Sequence, residues 1–198
     1  INLDSEEEVD AVERIAEKIG RPVRVAIRIK VLPEDYFKDF KSDCFKRPDF
    51  FGGMRRSKWG ETVEGAKRII QRLQNHAHLR LFGYHTHIGR ASRDPQMFAA
   101  IAGELASNIA ELYAETDFAP HMVDLGGGWA RERDPEASGD ISNPHPIEEY
   151  AKAVCDAMLR EFNDADMPLP QIWLEPGRYI VGNAGVLLTT IGLIKRDD

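Results

Sequence analysis

The sequence predicts an α/β fold in which helices cover a parallel β-sheet. The first support is a strict alternation of strand-like and helix-like apolar patterns, an order typical of parallel sheets. The second is that charged residues and glycines stand at the carboxyl ends of successive predicted strands. In a (β/α)8 TIM barrel these ends form one rim around the active site, whereas few of them could share a ligand in an open doubly wound sheet. We therefore predict part of a TIM barrel.

The strands are predicted from short apolar runs. The clearest is Val23–Val31, where apolar residues alternate with arginine, alanine and lysine at the period of two that a strand requires. The predicted strands are residues 1–4, 23–31, 79–87, 122–125, 172–175 and 186–194.

The helices are predicted from apolar residues that recur every three or four positions. They cover residues 5–19, 62–75, 94–112 and 146–158. Asp94 is expected to cap the third helix, because Pro95 follows at its first position. Residues 32–59 show no period and are rich in phenylalanine, so we expect a partly ordered lid or interface loop. Residues 131–145 are polar and proline-rich and are expected to form a loop.

Composition argues against several classes of protein. With 198 residues and 42% apolar content the chain can bury a sizeable core, so one domain is expected. A net charge of -7 without a long basic run argues against nucleic acid or an anionic membrane as partner. Cys44 and Cys155 have neither disulfide nor zinc spacing and are expected to be free thiols. Because no apolar run reaches the roughly 18 residues of a membrane span and no signal peptide is apparent, we expect a cytoplasmic protein.

The predicted rim carries groups suited to an anion and to a proton. The N–H groups of Gly126, Gly127 and Gly128, with Gly177 and Arg178, can surround a phosphate.

Glu175 stands at what reads as the last buried position of its strand, where an unpaired carboxylate would be unfavourable. A pyridinium N–H would satisfy it. Backbone amides or Arg28 would do so as well.

Two histidines are expected on one face of the third strand. An imidazole at a strand end can lie against a flat ring, and a pair of them can bind a metal ion. His87 is the better site candidate, while His85 is more readily explained as a histidine in the core.

Three motifs together resemble a known family. They are His-x-His-Ile-Gly at 85–89, Asp-x-Gly-Gly-Gly at 124–128 and Glu-Pro-Gly-Arg-Tyr at 175–179. In this order they look like the barrel of the fold-type III pyridoxal-phosphate decarboxylases of the ornithine, arginine and diaminopimelate type, which are more distantly related to alanine racemase. Further similarity covers residues 2–5, 28–29, 57–60 and 183–187.

The resemblance implies a pyridoxal 5'-phosphate site and roles for particular residues. His87 would stack on the cofactor ring, and Glu175 would pair with the pyridine nitrogen. Arg28 would lie among the polar groups beneath the cofactor. The phosphate would be held by Gly126, Gly127, Gly128, Gly177 and Arg178.

The resemblance also implies an activity and an architecture. The activity would be decarboxylation of a diaminopimelate-, ornithine- or lysine-like amino acid, including one with a D-stereocentre, by a homodimer. Residues 1–185 would form a barrel portion and 186–198 the start of a connection to a C-terminal β domain. We expect the first barrel strands and that β domain to be missing, because the cofactor-binding lysine and the family's Cys-Glu-Ser-x-Asp motif are not found.

The chain departs from the family at several positions. Arg90 stands where a serine is usual, with Ser92 nearby; Lys30 replaces an asparagine, and Trp129-Ala130 replaces Phe-Pro. Two alternatives stay open. One is a metal-dependent hydrolase that uses His85 and His87 as ligands with Asp124 as ligand or base. The other is a non-catalytic domain that binds pyridoxal phosphate.

Overall fold

The structure, a computed structural model, describes residues 1–38, 50–74, 76–87, 93–136, 139–182 and 184–196. Its strands are β1 (Asn2–Leu3), β2 (Val23–Arg28), β3 (Leu79–His85), β4 (Met122–Asp124), β5 (Arg133–Glu136), β6 (Gly139–Ser142) and β7 (Gln171–Trp173). Its helices are α1 (Glu8–Ile19), α2 (Glu34–Lys38), α3 (Phe50–Arg55), α4 (Val63–Leu73), α5 (Pro95–Thr116), α6 (Ile147–Asp164) and α7 (Gly177–Val181).

The main sheet has five parallel strands in the order β1-β2-β3-β4-β7. Each strand of this sheet therefore lies beside the next one along the chain. A doubly wound sheet would instead reverse its order part-way, at the point where its ligand binds. The uninterrupted order is that of a barrel wall and confirms the predicted fold class.

One face of this sheet packs on helices α1, α4, α5 and α6 to form the core. Alternate strand residues such as Val25 and Ile27 point into it, as the period-two pattern predicted. Helices α5 and α6 also pack on each other, where the rings of Phe98 and Tyr150 meet edge to face at 5.1 Å. The Asp94 side chain accepts a hydrogen bond from the Gln96 N–H at 2.8 Å, which confirms the predicted cap of α5.

The opposite face of the sheet is open and lined by polar and aromatic side chains. The Arg24 guanidinium lies 4.8 Å from the centre of the Phe82 ring, and the Phe82 and Trp173 rings are 6.2 Å apart. In a closed barrel this face is the interior, which side chains fill. The rim that carries the site lies at the carboxyl end of the same face.

Three segments differ from the sequence predictions. Residues 186–194 form no strand, and Val186 is 91% exposed, because a strand requires a hydrogen-bonded neighbour and the described residues offer none there. The polar segment 131–145 contains the antiparallel hairpin β5–β6, which a loop prediction missed. The segment 32–59 contains the short helices α2 and α3, and the proposed lid falls partly on residues 39–49, outside the described residues.

Two further observations concern composition. Cys155 is an exposed free thiol, as expected, whereas Cys44 lies outside the described residues. Across the ranges that the structure describes, every helix is too short or too polar to cross a lipid bilayer. The division of the chain at residue 185 stays a prediction.

Candidate active site

The glycine segment forms a tight turn directly after β4. Gly126 and Gly128 have φ angles of 67° and 87°, values that glycine adopts without the steric penalty of a side chain. The Gly126 N–H donates to Asp124 Oδ1 at 2.9 Å, so the carboxylate at the end of β4 fixes the start of the turn. The Gly127 N–H points to Nδ1 of His87 at 3.4 Å.

No larger residue would fit in the first half of this turn. A Cβ atom on Gly126 would lie 2.7 Å from the Thr86 carbonyl oxygen and 2.9 Å from Cα of His87. A Cβ atom on Gly127 would lie 2.6 Å from the carbonyl oxygen of Glu175. The glycines therefore let the turn pack between the ends of β3 and β7, which brings three motifs of the sequence to one place.

Glu175 is joined to the glycine turn through its backbone. Its N–H donates to the Gly126 carbonyl at 3.0 Å, two residues beyond the last pairing between β4 and β7 on each strand. Its carboxylate is 51% exposed and lies 3.9 Å from Nε2 of the His85 ring. The prediction that this position is buried is wrong, because β7 is the outermost strand of the described sheet and is covered on one side only.

Arg28 does not satisfy Glu175 but pairs with another carboxylate. Its Nη1 lies 3.0 Å from Oδ1 of Asp4, and the same oxygen accepts the Gly60 N–H at 3.2 Å. Gly60 has a φ of 78°, and a Cβ atom there would lie 3.0 Å from the Arg28 carbonyl oxygen. Asp4 thus links the ends of β1 and β2 to the segment before α4. Sequence reasoning gave it no role, although it lies within the similar segment 2–5.

Lys30 ties a neighbouring segment to the same rim. Its Nζ donates to the carbonyl oxygens of Ser57 at 2.7 Å and Arg55 at 3.0 Å. These contacts join the end of β2 to the stretch that follows α3. The replacement of asparagine by lysine at this position therefore has a structural use, since the longer side chain spans this distance.

The two histidines occupy different environments. His85 ends β3 and is buried, and its Nδ1 has no hydrogen-bond partner in the described part of the chain. Burial lowers the pKa of His85 to about 4, and the nearby carboxylate of Asp124 opposes this effect. His85 is therefore neutral at pH 7. His87 lies beyond the strand and is exposed beside the glycine turn, where a ligand can reach its ring.

The structure groups the candidate metal ligands differently from the sequence-based alternative. Ligand atoms of His85, Asp124 and Glu175 lie within 4.8 Å of one another. His87, the expected second histidine ligand, is not in this group, and its Nδ1 faces the Gly127 N–H instead. The hydrolase hypothesis therefore loses the histidine pair on which it depended.

The site has the donors that a phosphorylated pyridine requires. Gly177 and Arg178 follow Glu175 after one proline and are exposed, and Arg178 forms no ion pair within the described ranges. The Gly177 N–H donates to the Glu175 carbonyl at 2.8 Å. Among the same residues, the Gly128 N–H has no acceptor. An anion could use these groups, while the half-exposed carboxylate of Glu175 could meet a ring N–H. Arg90 and Ser92, two positions at which the family pattern is broken or displaced, lie outside the described residues.

Comparison with known proteins identifies the family. Residues 1–182 match the family model described as pyridoxal-dependent decarboxylase, pyridoxal binding domain. The chain belongs to this family. The pyridoxal-dependent decarboxylase relationship predicted from the three motifs is thereby confirmed, as is pyridoxal phosphate as the cofactor of the family.

Several relatives of the decarboxylase domain share its sequence or its fold. The chain is 31% identical over 195 residues to diaminopimelate decarboxylase of Staphylococcus aureus (strain COL), covering 98% of the chain and 41% of that protein. It is 30% identical over 204 residues to the Archaeoglobus fulgidus diaminopimelate decarboxylase, covering 98% and 42%. The M. jannaschii diaminopimelate decarboxylase, solved in complex with L-lysine, has a TM-score of 0.70 at 24% identity over 90% of this chain and 38% of that one. The chain thus spans about two-fifths of the length of these relatives.

Proposed function

We propose that the protein carrying this chain is a pyridoxal-phosphate-dependent amino-acid decarboxylase, a carbon–carbon lyase. The observation that carries the proposal is the hydrogen bond from the Glu175 N–H to the Gly126 carbonyl, 3.0 Å long. It supports the proposal because it joins the backbone of Glu175, whose carboxylate would bind a ring nitrogen, to the turn that would bind a phosphate. Both groups lie at the carboxyl ends of barrel strands, where TIM-barrel enzymes have their active sites.

Different residues of the rim would bind different parts of the cofactor. Gly126, Gly127, Gly128, Gly177 and Arg178 would surround its phosphate. Among the described residues the Gly128 N–H and the Arg178 guanidinium are open to it. The N–H groups of Gly126, Gly127 and Gly177 donate to Asp124 Oδ1, His87 Nδ1 and the Glu175 carbonyl, so they would bind the phosphate only by exchanging these hydrogen bonds. His87 would contact the face of its ring, since the imidazole is exposed beside the glycine turn. Arg28 would lie among the polar groups beneath the cofactor, where its Nη1 donates to Oδ1 of Asp4 at 3.0 Å.

When bound, pyridoxal phosphate supplies a protonated pyridine ring that accepts the electron pair left by departing CO₂. Glu175 would hold the proton on the pyridine nitrogen through one carboxylate oxygen. Nε2 of His85 lies 3.9 Å from that carboxylate. Because His85 is neutral, it does not form an ion pair with Glu175 that would compete with the ring N–H. A negative Glu175 beside a neutral His85 therefore favours a proton on the pyridine nitrogen rather than an ion pair between these two side chains.

The substrate is proposed to be an amino acid with a second amino group, and diaminopimelate is the first candidate. The relatives with 30 and 31% identity are diaminopimelate decarboxylases, and the M. jannaschii relative was solved with L-lysine. Ornithine and arginine are the competing substrates, and decarboxylation at a D-stereocentre remains a prediction.

The experiment measures CO₂ release from diaminopimelate, lysine, ornithine and arginine by the protein as its gene encodes it, loaded with pyridoxal phosphate. We expect Glu175→Gln to lower turnover by about 100-fold or more, because the ring nitrogen loses its anionic partner. The dissociation constant of pyridoxal phosphate should change much less. Glu148→Gln, an exposed change at the start of α6, is the matched control.

Two results would contradict the proposal. Equal losses of turnover and cofactor affinity in Glu175→Gln would mean that the residue only holds the loop. Cofactor binding without release of CO₂ from any of the four amino acids would favour the non-catalytic alternative.

The proposal also includes a homodimer in the cytoplasm. Both predictions come from the resemblance of the three motifs to the decarboxylase family and from the composition of the sequence. Sedimentation equilibrium of the protein as its gene encodes it tests the dimer. A single species of monomer mass would contradict it.

A further inference from the structure

We propose that Trp129 is a positioning residue that fixes the glycine turn of the cofactor site through its indole N–H. The inference rests on the proposed function and deepens it. Trp129 stands where the family usually has phenylalanine, a side chain that has the ring but no donor. The hydrogen bond that it makes is therefore not expected from the family pattern.

The Gly126 carbonyl is the point at which the turn is held. It accepts the indole N–H of Trp129 at 3.1 Å and the backbone N–H of Glu175 at 3.0 Å. On the other side of the same residue, the Gly126 N–H donates to Asp124 Oδ1 at 2.9 Å. Both peptide groups of a glycine in the left-handed region are thus bonded, which limits the freedom that glycine would otherwise keep.

The indole can act as an anchor because its own position is set by the helices. Trp129 is 3% exposed, and its ring stacks on Phe98 of α5 with 4.8 Å between centroids and 23° between planes. Tyr150 of α6 meets it edge-on at 6.5 Å and 75°. The Tyr150 hydroxyl is in turn bonded to Asn143. The direction of the N–H is therefore fixed by the α5–α6 layer, and the turn takes its position from that layer.

The consequence is specific to the phosphate. Loss of the indole N–H leaves the Gly126 carbonyl with one donor, so the turn that supplies phosphate-binding N–H groups becomes less ordered. Within the described residues, no hydrogen bond or ring contact joins Trp129 to the side chains of His87 and Glu175, which would bind the ring. We therefore expect that loss of the indole N–H weakens binding of the phosphate and leaves binding of the pyridine ring unchanged.

The test compares two ligands that differ only in the phosphate. Dissociation constants for pyridoxal 5'-phosphate and for pyridoxal are measured on the wild type and on Trp129→Phe, in the protein as its gene encodes it. Trp129→Phe should bind pyridoxal phosphate about 3- to 10-fold more weakly, the effect of one hydrogen bond, with little change for pyridoxal. Phe98→Leu is the control, because it disturbs the same packing but keeps the indole N–H.

The outcomes separate the positioning role from a structural one. An unchanged ratio of the two constants in Trp129→Phe, or the same change of ratio in Phe98→Leu, would overturn the inference. A wild type that binds both ligands equally would instead refute the proposed phosphate site itself. If Trp129→Phe does not fold, a benzothiophene analogue at position 129, which replaces the N–H with sulfur, makes the same comparison and must give the same loss.

Discussion

Replacement of Gly126 by alanine tests whether the glycine turn is packed as the structure describes. Gly126 has a φ of 67°, and its new Cβ would lie 2.7 Å from the Thr86 carbonyl oxygen and 2.9 Å from Cα of His87. Gly20 provides a matched control, because its φ is 69° and no atom lies within 4 Å of the position that a Cβ would take there. The two substitutions share the backbone penalty and differ in the steric one.

The expected loss of stability follows from these contacts. Gly20→Ala should lower the free energy of unfolding by about 1 kcal/mol, the penalty for a side chain in the left-handed region. Gly126→Ala carries the same penalty and adds roughly 1–3 kcal/mol, because the neighbouring atoms belong to the backbone and must shift. The total is about 2–4 kcal/mol.

Equilibrium urea unfolding of both variants provides the measurement, with the slope of the transition as a check that the unfolded state is unchanged. Gly126→Ala should also weaken pyridoxal phosphate binding, and Gly20→Ala should not. Equal destabilisation by the two substitutions would refute the close packing of the turn against the end of β3.

Two further predictions concern pH. Burial raises the pKa of Glu104, whose Oε1 accepts the Leu32 N–H at 3.0 Å, so ionisation of the carboxyl opposes folding above its usual pKa of 4.5. Glu104→Gln should therefore raise the free energy of unfolding at pH 7, with a gain that disappears below pH 4.5, and a gain independent of pH would contradict the burial argument. The pKa of His85 is lowered to about 4, so its contribution to stability should be lost as pH falls from 6.5 towards 4. A His85 imidazole that titrates by NMR near pH 6.5 in the cofactor-free protein would show that the residue is not buried.

The part of the fold that the sequence predicts well depends on local periodicity. The period of two in β2 and the apolar stripe of α5 both require a buried face, so each could be recognised without knowing its neighbour. The site motifs were located for a related reason, since the carboxyl ends of consecutive parallel strands must meet at one rim.

The features that the sequence did not predict depend on partners distant in the chain. Residues 186–194 are apolar and suited to a strand, but they have no strand beside them in the described structure. The hairpin β5–β6 lies in a polar segment without a period. Glu175 was expected to be buried, yet its exposure depends on what covers the outer side of β7. The Trp129 hydrogen bond depends on the direction of one ring, which no pattern of residue types records.

The most direct test of the proposed site is the protonation state of the pyridine nitrogen. The ¹⁵N chemical shift of isotopically labelled pyridoxal phosphate, bound to the wild type and to Glu175→Gln, reports whether that nitrogen carries a proton. We predict a protonated nitrogen in the wild type across neutral pH and an unprotonated one in the variant. An unprotonated nitrogen in the wild type, or the same shift in both proteins, would contradict the placement of Glu175 at the cofactor ring.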